Sequence, residues 1–291
     1  MMVLVSIFNF KGGSGKSTTA VILAKYLSVR GYKVLLVDCD PQGSASLVIG
    51  ERLYIEECVE GGKGIPSLIH AFSHSPESIN RDLVYKNMFK VQFGGLFGFS
   101  VLPNSIERRL VQVFDLPRDF LTFFLVRIIE SLNGDFDVVI FDTPPYINPY
   151  ILSVLGFVNA VIVPTELTYL GVKGTEIALS TLAMYKAAGT TRVSKLAVLP
   201  TKHRNTKEVD SILDSIREKV GPMLIEPPIP YSVYVERLYK GEISADKLLY
   251  ATGDDILGRI STALKRLEDF CIVPLITVST SLEGTSSDGK L

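Results

Sequence analysis

Residues 9–18 read NFKGGSGKST. Gly15, Lys16 and Ser17 supply the end of the phosphate-loop pattern G-x-x-x-x-G-K-[ST]. The first glycine of that pattern is missing: Phe10 stands in its place, and a second lysine, Lys11, follows. The apolar run Val3–Phe8 precedes the stretch and helix formers follow Lys16, which is the strand–loop–helix order a phosphate loop requires. Gly12, Gly13 and Gly15, with Ser14 among them, let the backbone turn its N–H groups toward an anion. The helix that begins at Lys16 adds its positive end. Lys16 would reach the terminal phosphates and Ser17, with Thr18 beside it, would offer a hydroxyl to Mg²⁺. An ordinary glycine-rich turn is the competing reading.

Outward from this loop, short apolar runs alternate with longer helical patterns. Strands are predicted at Val3–Phe8, Lys33–Val37, Phe99–Leu102, Val138–Phe141, Ala160–Val163 and Leu196–Leu199. Several are continuous β-branched runs, as strands covered on both faces require. Helices are predicted at Lys16–Val29, Ile65–Phe72, Asp119–Leu132, Gly174–Ala187, Lys207–Val220 and Asp255–Glu268. The alternation predicts an α/β fold: a doubly wound, mostly parallel twisted sheet with helices on both faces. One domain over residues 1–270 is expected. The acidic, then glycine-rich stretch at 50–64 is expected to be mobile, and the Ser/Thr/Gly-rich residues 271–291 to form a partly disordered tail.

Composition narrows the function. The formal net charge of the 291 residues is −1, so attraction to nucleic acid or membrane must come from a local patch. Cys39, Cys58 and Cys271 form no C-x-x-C pair, which points away from a metal cluster and toward a reducing compartment. The short apolar start has no basic leader and is read as a strand. No apolar run approaches the length of a membrane span.

Two acidic segments flank the loop in the pattern. In VLLVDCDPQGSAS (34–46), Asp38 and Asp40 lie two apart, so on extended chain they point the same way. A pair of acids at the end of a strand beside a phosphate loop suits Mg²⁺ and water handling; a polar strand end with a turn is the alternative. In FDVVIFDTPP (136–145), Asp142 follows a buried strand, as the metal-associated acid of phosphate-loop enzymes does. Thr143, Pro144 and Pro145 form a stiff connection able to respond to a terminal phosphate.

The string KGGSGKST resembles the deviant Walker A motif K-G-G-x-G-K-[ST] of the ParA/MinD family of ATPases, within the P-loop class. The resemblance extends over about residues 2–268 and is most specific at 9–18, 36–46 and 137–146. It implies ATP and Mg²⁺ as cofactors and an ATPase of weak intrinsic turnover. It also implies a homodimer closed around two ATP molecules, in which Lys11 reaches the partner's phosphates. Asp40 then corresponds to the residue that orients water, while Asp38, Asp142 and Ser17 form the metal shell. VLPNSIERRL (101–110) and NAVIVPTELTYLGVKGTEIALSTL (159–182) resemble further family segments. In the second, Thr168 stands where a glutamate is usual. PPIPYSVYVERLYKGE (227–242) resembles a late ParA segment, with Tyr231 in place of an arginine. By position, Thr201 and Pro230 are candidates for holding the adenine.

Residues 186–207 hold six Lys/Arg and no Asp/Glu. Either this is a solvated face or it is a patch for phosphate backbones. ParA proteins bind DNA without sequence preference through late basic residues, so the resemblance points to Lys195, Lys202, Arg204 and Lys207, extended by Arg237 and Lys240, with His203 as a further donor. It also implies plasmid or chromosome partition in the cytoplasm, on the nucleoid, with a ParB-like centromere-binding partner that stimulates hydrolysis. No helix-turn-helix pattern precedes the loop, so site-specific DNA binding is not expected. A MinD-like positioning scaffold at the membrane or on protein cargo is the alternative. Pro274 and the polar residues after it disfavour a lipid-binding helix, and no membrane insertion is expected. A scaffold that delivers metal clusters is a third reading.

Overall fold

The computed structural model describes residues 2–49, 54–93, 97–104 and 116–277. The chain opens with β1 (Val3–Ile7), α1 (Lys16–Val29), β2 (Val34–Asp38) and α2 (Ser44–Ile49). A helical turn at Ile55–Glu60 leads to α3 (Ile65–His74) and α4 (Arg81–Lys86), then to β3 (Phe89–Phe93) and β4 (Phe97–Leu102). Next come α5 (Arg118–Ser131), β5 (Val138–Asp142), α6 (Pro149–Phe157), β6 (Ala160–Glu166), α7 (Tyr169–Ala187) and β7 (Lys195–Thr201). The chain continues through α8 (Lys207–Val220), α9 (Val233–Lys240), α10 (Lys247–Tyr250) and α11 (Ile256–Leu267).

The seven strands form one sheet in the order β3-β4-β2-β5-β1-β6-β7, parallel throughout except for β3, which pairs antiparallel with β4 at the edge. The doubly wound fold expected from the alternation is therefore present. The period of two along each strand divides the core. Val3, Val5 and Ile7 of β1 join Leu36, Ile140, Ile162 and Leu199 on the face covered by α1 and α11. Leu4 joins Leu35, Val139, Val161 and Val198 on the face covered by α3, α5, α6 and α7.

All six predicted strands form, and β3 was not anticipated. Its run FKVQF is charged at the edge, and Lys90 is exposed, so the apolar signal is diluted. Helix α7 starts at Tyr169, five residues before the predicted Gly174. Thr168 is its N-cap, its hydroxyl accepting from the Gly171 N–H at 3.1 Å. Gly174 is a site of close approach and not a helix start: a Cβ there would lie 3.0 Å from both Asn9 Oδ1 and Lys11 Cβ.

Two segments carry regular structure that their composition does not suggest. Residues 54–64, within the stretch expected to be mobile, carry the helical turn Ile55–Glu60 and bury Tyr54 and Cys58 in the core; residues 50–53 lie outside the described residues. The segment Glu268–Ile272 continues α11 as a helical turn with Cys271 and Ile272 buried, and the helical path runs on to residue 277. It is anchored by the buried Glu268 carboxylate, which accepts from Tyr26 Oη at 3.1 Å and Tyr32 Oη at 3.0 Å. The expected tail beyond 277 and residues 105–110 of the VLPNSIERRL segment lie outside the described residues.

Candidate nucleotide site

Strands β2, β5 and β1 are neighbours, and their register brings Ile7, Asp142 and Asp38 level at the same end of the sheet. The loop of residues 9–15 therefore emerges beside both acids. This is the carboxyl end of the parallel strands, where open α/β sheets bind ligands. Asn9 fixes where the loop begins. Its buried amide donates to the Pro164 carbonyl at 2.8 Å and to Thr175 Oγ1 at 3.2 Å, while its Oδ1 accepts from the Lys11 N–H at 3.0 Å. Gly13 and Gly15 have φ of 75° and 94°, in the left-handed region that a side chain disfavours. Thr201 braces the loop from β7, its hydroxyl donating to the Ser14 carbonyl at 2.9 Å.

Lys16 is buried, and its Nζ donates to the Lys11 carbonyl at 3.1 Å. Burial lowers its pKa, against the opposing pull of Asp142 and Asp40. Asp142 is fully buried, and among the described residues neither carboxylate oxygen has a hydrogen-bond partner. Burial raises its pKa well above the usual carboxylate range, and Asp38 pushes the same way; Ser17 and Lys16 pull it back. A buried carboxylate without a well-formed hydrogen bond is a group that a cation would satisfy. Asp142 with Ser17 therefore fits Mg²⁺.

Asp38 is placed differently from the expected metal role. Its Oδ2 accepts from Ser46 N at 2.9 Å and Ser46 Oγ at 2.7 Å, and its Oδ1 accepts from Asp40 N at 3.1 Å. Its lone pairs serve the turn that carries Asp40, so it organises that turn. Asp40 itself accepts from Gln42 N at 3.0 Å. Burial raises its pKa, and Lys16 works against that rise.

Beside the loop lies a cavity of about 350 Å³, lined by Thr18, Ile22, Thr201, Pro230, Val235 and Tyr239 among others. Its apolar walls suit a flat heterocycle. Thr201 and Pro230, picked by position in the sequence, both face it. Tyr239 also links α9 to the Asp38–Asp40 turn, donating from its hydroxyl to the Ser44 carbonyl at 3.2 Å.

Lys11 turns to its own chain. It forms an ion pair with Glu166 at the end of β6 and approaches Thr168 Oγ1 at 3.4 Å. Lys202 Nζ reaches the other oxygen of Glu166 at 3.2 Å. Burial works to raise the Glu166 pKa, but the hydrogen bonds from Lys11 and Lys202 prevail and hold it below the usual value. Asn9 and Glu166 are site residues that sequence reasoning missed. Their signal was position: one directly before the lysine motif, the other at a strand end beside it.

The basic stretch does not form one surface. Lys195 opens β7 and Lys202 follows its end, so the six residue steps of the strand, roughly 20 Å, and one step more separate their backbones. Lys195 Nζ sits over the Phe270 ring, 5.3 Å from its centroid. Arg204 stacks on Tyr231 at 4.2 Å, and Lys207 opens α8. Arg237 and Lys240 pair with Glu242 and Glu236 on the exposed side of α9. His203 is buried and is no free donor to a ligand. Its Nδ1 accepts from Arg259 at 3.2 Å, so its Nε2 donates to Asp210, also at 3.2 Å.

A loop that begins at a buried asparagine, carries two lysines and ends beside two strand-end acids defines a P-loop nucleotide site of the ParA/MinD type. A family model, AAA_31, described as an AAA domain, matches residues 2–194, and the chain belongs to that family. It is 27% identical over 235 residues to the chromosome-partitioning ATPase Soj of Thermus thermophilus, covering 79% of this chain and 81% of Soj. It is 32% identical over 169 residues to a putative replication protein A of Rhizobium rhizogenes, covering 55% of this chain but 39% of that longer protein. Among solved structures, cobyrinic acid a,c-diamide synthase of Mycobacterium smegmatis with bound ADP and magnesium superposes with a TM-score of 0.64 at 25% identity, covering 86% of this chain and 94% of that one. The pNOB8 ParA bound to nonspecific DNA superposes at a TM-score of 0.59 and 19% identity, over 91% of this chain and 98% of that one, and speaks to the fold alone.

Proposed function

We propose that this protein is a partition-type ATPase that binds ATP with Mg²⁺, closes as a homodimer and holds DNA without sequence preference while closed. The observation that carries the reading is the convergence at one sheet end: the loop with Lys11 and Lys16 emerges level with Asp142, whose buried carboxylate makes no hydrogen bond of good geometry among the described residues and is approached by the Ser17 hydroxyl. Mg²⁺ held through Asp142 and Ser17 would supply charge neutralisation to the phosphates. Lys16 approaches the phosphates from the loop, and the N–H groups of residues 12–17 surround them. Asp40, held on the turn that Asp38 organises, orients the attacking water. The base occupies the cavity between Thr18, Pro230 and Tyr239. Lys11 leaves Glu166 and reaches the phosphates of the second subunit, which stabilises charge there only once two copies have closed. Hydrolysis is slow until a partner stimulates it by completing the stabilisation of transition-state charge. A ParB-like protein is the proposed stimulator and a plasmid or chromosome the proposed cargo, on the nucleoid.

The DNA surface consists of Arg204 and Lys207 with Arg237 and Lys240. Lys195, at the far end of β7, is left out. No helix among the described residues is long and apolar enough to cross a membrane. Binding of random-sequence duplex with ATP, ADP or no nucleotide, across a salt series, tests the reading. Binding that needs ATP and falls steeply with salt is expected. Equal binding in all three states would reject the ATP-gated dimer. Lys11→Ala should keep ATP binding and lose ATP-dependent dimerisation in light scattering.

A further inference from the structure

Lys202 is out of place as a surface lysine. It follows Thr201, the residue that braces the loop through the Ser14 carbonyl, and its Nζ lies 3.8 Å from where a Cβ on Gly13 would stand. The ammonium therefore sits over the glycines. Its backbone is also unusual. With φ at 56°, it is the one non-glycine residue among those described in the left-handed region. Side chains rarely adopt that conformation, and such positions cluster where a ligand is held. The turn it makes brings the side chain back toward the end of β6, where Glu166 stands in register with Thr201.

The charges at that point do not balance. One carboxylate, Glu166, faces two ammonium groups, Lys11 and Lys202, and Lys16 stands behind them on the same loop. Asp40 and Asp142 act on Lys16, whereas Lys11 and Lys202 both turn to Glu166. Two ammonium groups thus share one carboxylate beside the loop glycines, next to the space where terminal phosphates would sit. The Lys202 side chain is 38% exposed and that of Glu166 is 19% exposed. An ion pair open to water to this degree contributes little, so a multiply charged phosphate can displace the carboxylate.

We propose that Lys202 is a phosphate-binding lysine of this site, and that Glu166 holds Lys202 and Lys11 until a terminal phosphate displaces it. This rests on the nucleotide reading above. It assigns Lys202 to the nucleotide and removes it from the DNA surface. Glu166 is a positioning residue: it competes with the phosphate for both lysines and so sets how readily Lys11 is released toward a second subunit.

Titration of the full chain with fluorescent ATP and ADP analogues in the presence of Mg²⁺ tests it. The proteins are wild type, Lys202→Met, Lys202→Arg, Glu166→Gln and the double variant Glu166→Gln/Lys202→Met. Lys202→Met should weaken binding of the ATP analogue about tenfold, the order of one charge-assisted contact, and that of the ADP analogue less. Lys202→Arg should restore most of the loss, which a folding defect would not allow. Glu166→Gln should tighten ATP binding several-fold, and the loss from Lys202→Met should persist in its background. A Lys202→Met effect that disappears with Glu166→Gln would mean that Lys202 serves only as a counter-ion, and the proposal fails. The same holds if wild type binds, Lys16→Ala abolishes binding, and Lys202→Met changes nothing. If wild type binds neither nucleotide, the nucleotide reading itself falls and this inference with it.

Discussion

Lys25 offers a quantitative test of how the phosphate-loop helix is joined to the base cavity. It lies on α1 and is 5% exposed; its Nζ donates to the carbonyls of Leu238 at 2.7 Å and Tyr239 at 2.9 Å. These carbonyls belong to the last turn of α9, where a cation also meets the negative end of the helix. The next residues on that path are Tyr239 at the cavity and Ser44 on the acidic turn. Burial pushes the Lys25 pKa down to about 8, whereas an unfolded lysine titrates near 10.4. Between those values the unfolded chain binds more protons than the folded one, so the Lys25 contribution to stability rises with pH. Its penalty is about 3 kcal/mol at pH 8 and below, and falls to about 1 kcal/mol by pH 10. Lys25→Met removes the titration while keeping the aliphatic stem. At pH 7 the variant gains the removed penalty and loses donors to two carbonyls, at about 1–3 kcal/mol, so the sign there is a small difference. The slope is not. Urea unfolding of both proteins from pH 8 to pH 10 should show wild type gaining about 2 kcal/mol on Lys25→Met. The buried thiols of Cys39, Cys58 and Cys271 titrate in both unfolded chains and cancel in the comparison. A difference that stays flat over that range would refute the buried, charge-strained lysine.

Three further outcomes are expected. Asp40→Ala should keep ATP binding while phosphate release, followed by a coupled assay, falls about 100-fold, as expected for loss of a group that orients the attacking water; unchanged turnover would remove Asp40 from hydrolysis. Thr201→Val deletes the hydroxyl that donates to the Ser14 carbonyl, and should weaken nucleotide binding about fivefold, the value of one buried hydrogen bond near 1 kcal/mol; an unchanged dissociation constant in calorimetry would show that the brace is dispensable. Gly171→Ala would set a Cβ 2.0 Å from the Glu166 carbonyl oxygen. Because backbone must move, a loss of about 2–3 kcal/mol in chemical denaturation is expected, and wild-type stability would mean that α7 starts elsewhere.

Much of this arrangement could be read from the residues because each carried a local signal. The β-branched runs of β1, β2, β5 and β6 announce strands covered on both faces, and a strand ending in glycines and a lysine announces the loop. The boundaries of α1 and α8 were legible for the same reason: Gly15 precedes one, and Thr206 caps the other, accepting from Val209 N at 3.4 Å. What failed depended on partners remote in sequence. The basic run 186–207 looks continuous along the chain, but a strand of seven residues passes through it and separates its ends. Asp38 and Asp40 lie two apart in a pattern that suggests a shared metal role, yet Ser46, eight residues on, donates to the Asp38 carboxylate and makes it a support for the turn.

The glutamate that the ParA resemblance expects at position 168 shows the same logic at a single point. With Thr168 there, the segment reads as if a carboxylate were lost. The fold gives Thr168 a task that its short hydroxyl performs well, capping α7 through the Gly171 N–H. Glu166, two residues earlier, lies at the end of extended chain, and the carboxylate enters the site from there. It meets Lys11 from the loop and Lys202 from β7. The lysine at 202 and the glutamate at 166 are joined by the β6–β7 pairing, in which Glu166 faces Thr201. A charge on one strand end thus has its counter-charge one residue beyond the neighbouring strand end. Neither residue has meaning without the other, which is why single-position comparison passes over both and only the paired strands reveal them.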